Sequence, residues 1–179
     1  IQMKYNEAIE FVNNLEEFLS AIDEAFNYDR QIIIEKAIKG KEIECSVLGN
    51  GEPIVSLPGE VIPKNQFYSY EAKYLDDEGA ELLIPVELPE NIIKEIQDYS
   101  IRAYRALGIE GMARADGFLE KDGNYYVNEL NTIPGFTSIS MYPKLWEVSG
   151  ISYKDLIQRL IDLAFDRFEK EKKLKKTLN

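Results

Sequence analysis

Between residues 14 and 26 the apolar positions Leu15, Phe18, Leu19, Ile22 and Phe26 recur at helical spacing. Asn14 followed by Glu17 has the form of a capping box, so the pattern predicts a helix over residues 14–26. The period then falls to two. Residues 32–38 (IIIEKAI) are β-branched and short, and residues 41–48 (KEIECSVL) alternate Ile43, Cys45 and Val47 inward with Glu42, Glu44 and Ser46 outward. Asn50-Gly51 is a strong hairpin signal that folds residues 53–57 back on the preceding strand. Residues 58–87 are broken up by Pro58-Gly59, Pro63 and the DDEG run at 76–79, and just 60–63 and 82–85 look strand-like. A stretch of that length inside a compact domain is usually functional or mobile.

Pro89 in a first helical turn, followed by Ile92, Ile93, Ile96, Tyr99, Ile101, Ala103, Tyr104 and Leu107, predicts a long helix stopped by Gly108 that covers one face of the sheet. Residues 111–119 and 124–131 form two further strands with Asp122-Gly123 at their turn. After an intervening loop, Ser152 and Asp155 open a last helix through Leu156, Leu160, Ile161, Leu163, Phe165 and Phe168. The elements give an α+β fold, with helices packed on a largely antiparallel sheet.

Composition narrows the chemistry. The chain of 179 residues suffices for one domain, or for two small lobes, and no apolar run reaches the roughly 18 residues of a membrane span. Residues 1–11 have neither a secretory nor a transit-peptide layout, and with a single cysteine, Cys45, the chain suits a reducing compartment, by default the cytoplasm. A net charge of −11 opposes a broad nucleic-acid surface. There is no histidine, which removes Ser-His, Cys-His and His-metal chemistry. Carboxylates, amides, Lys, Arg and backbone groups remain, a set suited to Mg²⁺ and phosphate.

The hairpin of residues 111–131 concentrates such groups. Side chains at i and i+2 share a face, which groups Arg114 with Asp116 and Glu129 with Asn131. Pairing Leu119 with Tyr126 sets Asp116 opposite Glu129, with Cβ atoms roughly 5 Å apart. Like charges so placed call for a cation between them, and with the amide oxygen of Asn131 they form a hard-donor set that fits a divalent ion. Charges on an ordinary solvent face are the alternative. In the following NTIPGFTSIS loop, Gly135 can bring backbone N–H groups close to an anion, and Thr137, Ser138 and Ser140 add hydroxyls. Pro134-Gly135 as a plain turn is the simpler account of that loop.

The segments GMARADGFL, VNELNTIPGFTSISMYPKLW and EAKYL resemble the C-terminal part of D-alanine–D-alanine ligases, members of the ATP-grasp superfamily, and the resemblance covers essentially the whole chain. It implies the C-terminal lobe of an ATP-grasp domain. In the intact enzyme ATP would drive the joining of two D-alanines through an acyl phosphate, for peptidoglycan precursor synthesis. By this resemblance Asp116, Glu129 and Asn131 hold two Mg²⁺ ions, with Mn²⁺ an alternative, that bridge the ATP phosphates. Arg114 and the N–H of Gly135 face the oxygen of a tetrahedral intermediate, and Ser140 and Met141 receive the carboxylate of the second D-alanine. Glu35, Lys36 and Ile38 contact adenine, Lys36 also reaches toward the phosphates, and Glu42 binds the ribose hydroxyls. Where relatives often carry an aromatic residue this chain has Ala37, so Phe67 and Phe118 are expected to supply apolar packing instead. The FYSYEAKYLDDE segment resembles the family's lid, with Lys73 near the γ-phosphate and Tyr74 over the acceptor site, a residue that favours the D-alanine dipeptide.

Nothing in the chain matches the family's N-terminal substrate domain or its first ATP-grasp lobe with a Gly/Ser-rich loop. The expectation is a C-terminal portion starting just after that loop, with little ligase activity by itself. The intact enzyme is expected to act on small molecules, without nucleic acid or membrane, with a homodimer as one option. Two other readings share the residues: another ATP-grasp carboxylate–amine ligase, and a non-catalytic nucleotide-binding module.

Overall fold

A computed structural model gives the architecture of residues 2–5, 8–63, 80–137 and 139–174, the described residues. They fall into two units, residues 1–39 and 40–179. In the first, β1 (Gln2–Tyr5), β2 (Ala8–Phe11) and β3 (Ile33–Glu35) make an antiparallel sheet in the order β2-β1-β3. Helix α1 (Leu15–Ala25) starts at the predicted cap: the Asn14 side chain accepts the Glu17 N–H at 2.9 Å, and the Glu17 carboxylate accepts the Asn13 N–H at 2.8 Å. Ala21 and Val12 are buried with Phe18 and Ile22 around them. The strand expected over residues 32–38 is shorter than its composition suggested. Among the described residues, pairing with β1 runs to Glu35, and residues 36–39 have no ladder partner.

The second unit is built on an antiparallel sheet in the order β7-β6-β4-β8-β9, with β5 also on β4. Its strands are β4 (Gly40–Leu48), β5 (Ile54–Val55), β6 (Gly59–Pro63), β7 (Ala80–Leu83), β8 (Met112–Glu120) and β9 (Tyr125–Asn131). The Asn50-Gly51 turn does return the chain onto β4, pairing Val47 with Val55. Helix α2 (Glu90–Ala106) follows Pro89, which is its N-cap rather than a first-turn residue, and ends before Gly108 at φ +62°. On one face of the sheet Ile43, Cys45 and Val47 of β4 meet Ile96 and Tyr104 of α2. Small residues on β8, Ala113 and Ala115, share that interface with Tyr104.

The opposite face is covered at one end, where the sequence suggested solvent. An eight-residue helix, α3 (Met141–Val148), occupies part of what the pattern left as a loop, and α4 (Tyr153–Lys172) follows it from its Ser152 cap. Leu48, Tyr142, Trp146, Ile151 and Leu156 pack together there. Two hydrogen bonds fasten α3 to β4: the Ser46 hydroxyl donates to the Tyr142 carbonyl at 3.0 Å, and the Tyr142 hydroxyl donates to the Val47 carbonyl at 3.0 Å. Ser46, expected to face outward, is therefore 0% exposed, and Glu44, expected to do the same, is 2% exposed. No helix among the described residues is long and apolar enough to cross a membrane.

Candidate functional site

Cross-strand pairing lays out the uncovered part of that second face. The register sets Glu44 of β4 opposite Asp116 of β8, and Asp116 opposite Glu129 of β9. One row along, Ser46, Arg114 and Asn131 are aligned, and one row the other way lie Glu42, Phe118 and Tyr126. Residues at i and i+2 keep to one side of each strand. Glu42, Phe118, Arg114, Asp116, Glu129 and Asn131, all expected at a site, thus share a single surface.

Glu129 reaches this surface through an irregularity. Near the turn the partners are Leu119 with Tyr125 and Phe118 with Tyr126, so the expected pairing of Leu119 with Tyr126 is corrected by one residue. Tyr125 points to the core at 6% exposure and Tyr126 is 39% exposed. Counting by twos from Tyr125 would send Glu129 and Asn131 into the core. A register shift lies between Asp116 and Gly117, where Val127 pairs with Gly117 and Glu129 with Asp116, leaving Asn128 as the extra residue. A bulge of this kind re-aims the side chains beyond it. The predicted pairing of Asp116 with Glu129 is present, by a route the simple alternation missed.

Arg114 lies at the centre of the charges. Its Nε donates to Asp116 Oδ1 at 2.7 Å and its Nη2 to Asp116 Oδ2 at 2.6 Å, a two-pronged contact. Its Nε also lies 3.0 Å from Glu44 Oε2. All three side chains are at most 10% exposed, whereas Glu129 is exposed. Glu44 was absent from the sequence-derived set. Its signal is tertiary, since the guanidinium beside it comes from β8 far downstream, and alternation alone made it a solvent residue.

Two buried carboxylates, Glu44 and Asp116, lie about the Arg114 guanidinium, with the exposed Glu129 at their edge. That donor set fits a hard divalent cation: Asp116, Glu129 and Asn131 offer carboxylate and amide oxygens. Among the described residues no three or more of His, Cys, Asp and Glu are grouped to hold a metal by themselves. Mg²⁺ commonly takes one or two protein carboxylates and completes its shell from water and phosphate oxygens, so two acids and an amide agree with it. Asn131 Oδ1 also accepts the Ile133 N–H at 3.0 Å, which fixes its orientation.

The loop after β9 closes on Ser140. Its Oγ accepts the Thr137 N–H at 3.0 Å and lies 2.9 Å from Thr137 Oγ1, while its own N–H donates to the Thr137 carbonyl at 3.1 Å. A Cβ at position 135 would come within 2.8 Å of Ser140 Oγ, so Gly135 lets the loop fold this tightly. Ser140 is the N-cap of α3, yet its side chain makes no capping bond to that helix. Met141 is buried with Val61 and Leu145, which brings the start of α3 onto the same side of the sheet as Glu42.

Glu35 and Ile38, both half-buried, and Lys36, exposed, belong to the first unit. Phe67, Lys73 and Tyr74 lie outside the described residues.

A family model described as "D-ala D-ala ligase C-terminus" matches residues 8–162. The chain belongs to this family. It is 57% identical over 162 residues to a D-alanine–D-alanine ligase of Shouchella clausii, covering 90% of this chain and 44% of that one. Among solved structures, the D-alanine-D-alanine ligase from Coxiella burnetii superposes with a TM-score of 0.83 at 41% identity, covering 96% of this chain and 47% of the other. The Bacillus anthracis D-alanine–D-alanine ligase complexed with ATP gives 0.77 at 32% identity, covering 95% and 55%. The chain thus spans about half the length of the relatives it matches. The family assignment agrees with the α+β architecture and with the motifs in which the site residues stand.

Proposed function

We propose that this chain is the C-terminal portion of an enzyme that joins two D-alanines to D-alanyl-D-alanine at the expense of ATP, for peptidoglycan precursor synthesis. The observation that carries this reading is the shared surface of Arg114, Asp116, Glu129 and Asn131 across β8 and β9, beside the Gly135–Ser140 turn. Membership of a family named for the activity, and the ATP complex of one structural relative, support it.

In this reading the carboxylate of the first D-alanine attacks the γ-phosphorus of ATP, ADP leaves, and an acyl phosphate forms. The amine of the second D-alanine adds to the acyl carbon, the tetrahedral centre expels phosphate, and the amine loses a proton. Neither step needs an enzyme nucleophile. The work of the site is positioning and charge stabilisation, which accords with a chain lacking histidine. Bound Mg²⁺, held by Asp116, Glu129 and Asn131, supplies neutralisation of the phosphate charge. Arg114 and the Gly135 N–H are the donors for the developing oxyanion. Ser140 and Met141, at a helix start that lacks side-chain capping, take the acceptor carboxylate. Glu42 and Phe118, on the same surface, contribute to the nucleoside site; by the family resemblance Glu35, Lys36, Ile38, Phe67, Lys73 and Tyr74 have the remaining nucleotide- and acceptor-binding roles.

The test is phosphate release by the full-length enzyme with ATP, Mg²⁺ and D-alanine, against L-alanine, D-serine and D-lactate as acceptors. Release that depends on D-alanine, with the dipeptide as product, is the expected result. Release unaffected by D-alanine, or driven by a different acid and amine, overturns the reading. The present chain alone should give little turnover.

A further inference from the structure

The peptide unit between Phe136 and Thr137 is held at both of its polar groups. Its carbonyl accepts a hydrogen bond from the Tyr153 hydroxyl at 3.1 Å, and its N–H donates to Ser140 Oγ at 3.0 Å. A peptide unit is planar, so bonds at both ends fix the orientation of the whole unit. The Phe136 ring is gripped as well: its centroid lies 5.7 Å from that of Tyr142 and 5.6 Å from that of Tyr153, both tilted contacts of the kind aromatic pairs prefer. Tyr142 is 0% exposed and donates its hydroxyl to the Val47 carbonyl of β4. Tyr153 is the first residue of α4, placed by the Ser152 cap, whose Oγ accepts the Asp155 N–H at 3.2 Å.

We infer that Tyr153 is a positioning residue for the acceptor loop: from the start of α4 it fixes the peptide unit that follows Gly135 and leads to Ser140, and so the aim of both. The inference rests on the functional reading above, in which Gly135 and Ser140 meet the oxyanion and the acceptor carboxylate. It gives Tyr153 a part in that reaction without contact to substrate. The loop needs such a restraint. A Cβ at position 135 would come within 2.8 Å of Ser140 Oγ, so the point of closest approach takes a glycine, the residue with the most backbone freedom. Tyr153 supplies from outside the loop the order that Gly135 cannot supply from within. Stability alone is a weak account of its hydroxyl, because Tyr153 is 47% exposed and water replaces a hydrogen bond at the surface with little net loss to the fold.

The substitution Tyr153→Phe in the full-length enzyme keeps the ring and removes the bond. The expected result is a KM for the acceptor D-alanine raised about 3- to 10-fold, the loss expected for one hydrogen bond, with a KM for ATP within about twofold of wild type. The melting temperature should stay within about 3 °C. Tyr153→Leu, which takes away the ring as well, should raise the acceptor KM further. The Thr137 N–H, on the other side of the same peptide unit, reports the order of the loop directly. In ¹⁵N-labelled full-length enzyme its exchange with water should be about 3- to 10-fold faster in Tyr153→Phe, while the amides of β4 and β8 exchange as in wild type. An acceptor KM within twofold of wild type, equal rises in both KM values, an unchanged Thr137 exchange rate, or a rate loss that merely tracks a lowered melting temperature would each overturn the inference. A wild type that makes no dipeptide ends the functional reading and the role of Tyr153 together, whereas a working wild type with an indifferent Tyr153→Phe ends the second alone.

Discussion

Glu129 and Asp116 are direct partners across β8 and β9, yet Asp116 is 3% exposed and clasped by Arg114 while Glu129 lies exposed. The two carboxylates are therefore separable in their effects. Glu129→Gln should leave the stability of the chain within about 0.5 kcal/mol, as surface changes usually do. In the full-length enzyme the same change should sharply reduce phosphate release and raise the Mg²⁺ concentration needed for half-maximal rate. Near-normal turnover at limiting Mg²⁺ would remove Glu129 from the metal set.

Arg114 has the opposite profile. Arg114→Met removes the guanidinium that lies between the buried carboxylates of Glu44 and Asp116, and breaking a buried ion pair from one side costs about 3–5 kcal/mol. Arg114→Lys should recover little, because a single ammonium cannot reproduce the two parallel bonds to Asp116. Chemical denaturation of both variants measures the difference.

Gly117 is a steric requirement rather than a flexible point. A Cβ there would overlap the Tyr125 hydroxyl and lie 2.6 Å from the Tyr126 carbonyl oxygen. Tyr125 has nowhere to retreat, since its ring packs among Ile43, Ile96 and Leu119. Gly117→Ala should cost about 1–3 kcal/mol, the usual penalty for overpacking. Because Asp116 and Phe118 flank the position, nucleotide binding by the full-length enzyme should weaken as well, which calorimetry would show.

Alkali should destabilise the chain through two buried acids of its core. Burial pushes the Cys45 thiol from an ordinary value of 9.0 up to about 12, with Glu44 and Asp116 adding to the rise and a hydrogen bond from Ser100 opposing it. Burial also raises the Tyr104 phenol to about 12, aided by Glu110. Both groups hold their protons more tightly when folded than unfolded. Their contribution to stability is thus fully present below the unfolded values and lost as pH rises through about 9 to about 12. Denaturant midpoints should fall across that window. At pH 8 a thiol reagent should leave Cys45 untouched until denaturant is added, and rapid labelling of the folded chain would contradict its burial.

Local signals carried much of this architecture. Asn14 and Ser152 cap their helices as their spacing implied, and Asn50-Gly51 turns the chain where a hairpin signal says it should. Such features depend on neighbours within a few residues. Helix α3 was illegible for the same reason: it is short, contains Pro143 in its first turn, and is held by bonds from Tyr142 to Ser46 and Val47 of a distant strand. The first-unit sheet was hidden too, since β1 and β2 are four residues each and owe their order to pairing. At the site, Arg114, Asp116, Glu129 and Asn131 were visible as a motif, but Glu44 was not. Its burial comes with the β4–β8 register, which sets it beside Arg114 and Asp116, a relation that alternation in β4 cannot express.

The extra residue in β9 also determines where this hairpin can change length. Residues 121–124 form the turn, and an insertion there leaves Tyr125 bound to the core and every side chain after it on its present side. An insertion just past Glu129 would be different in kind: with a two-residue repeat, one added position exchanges the faces of all that follow, sending Asn131 toward α2 and Leu130 toward solvent. Length variation is consequently permitted at one end of the hairpin and forbidden at the other, although both ends lie on the same pair of strands.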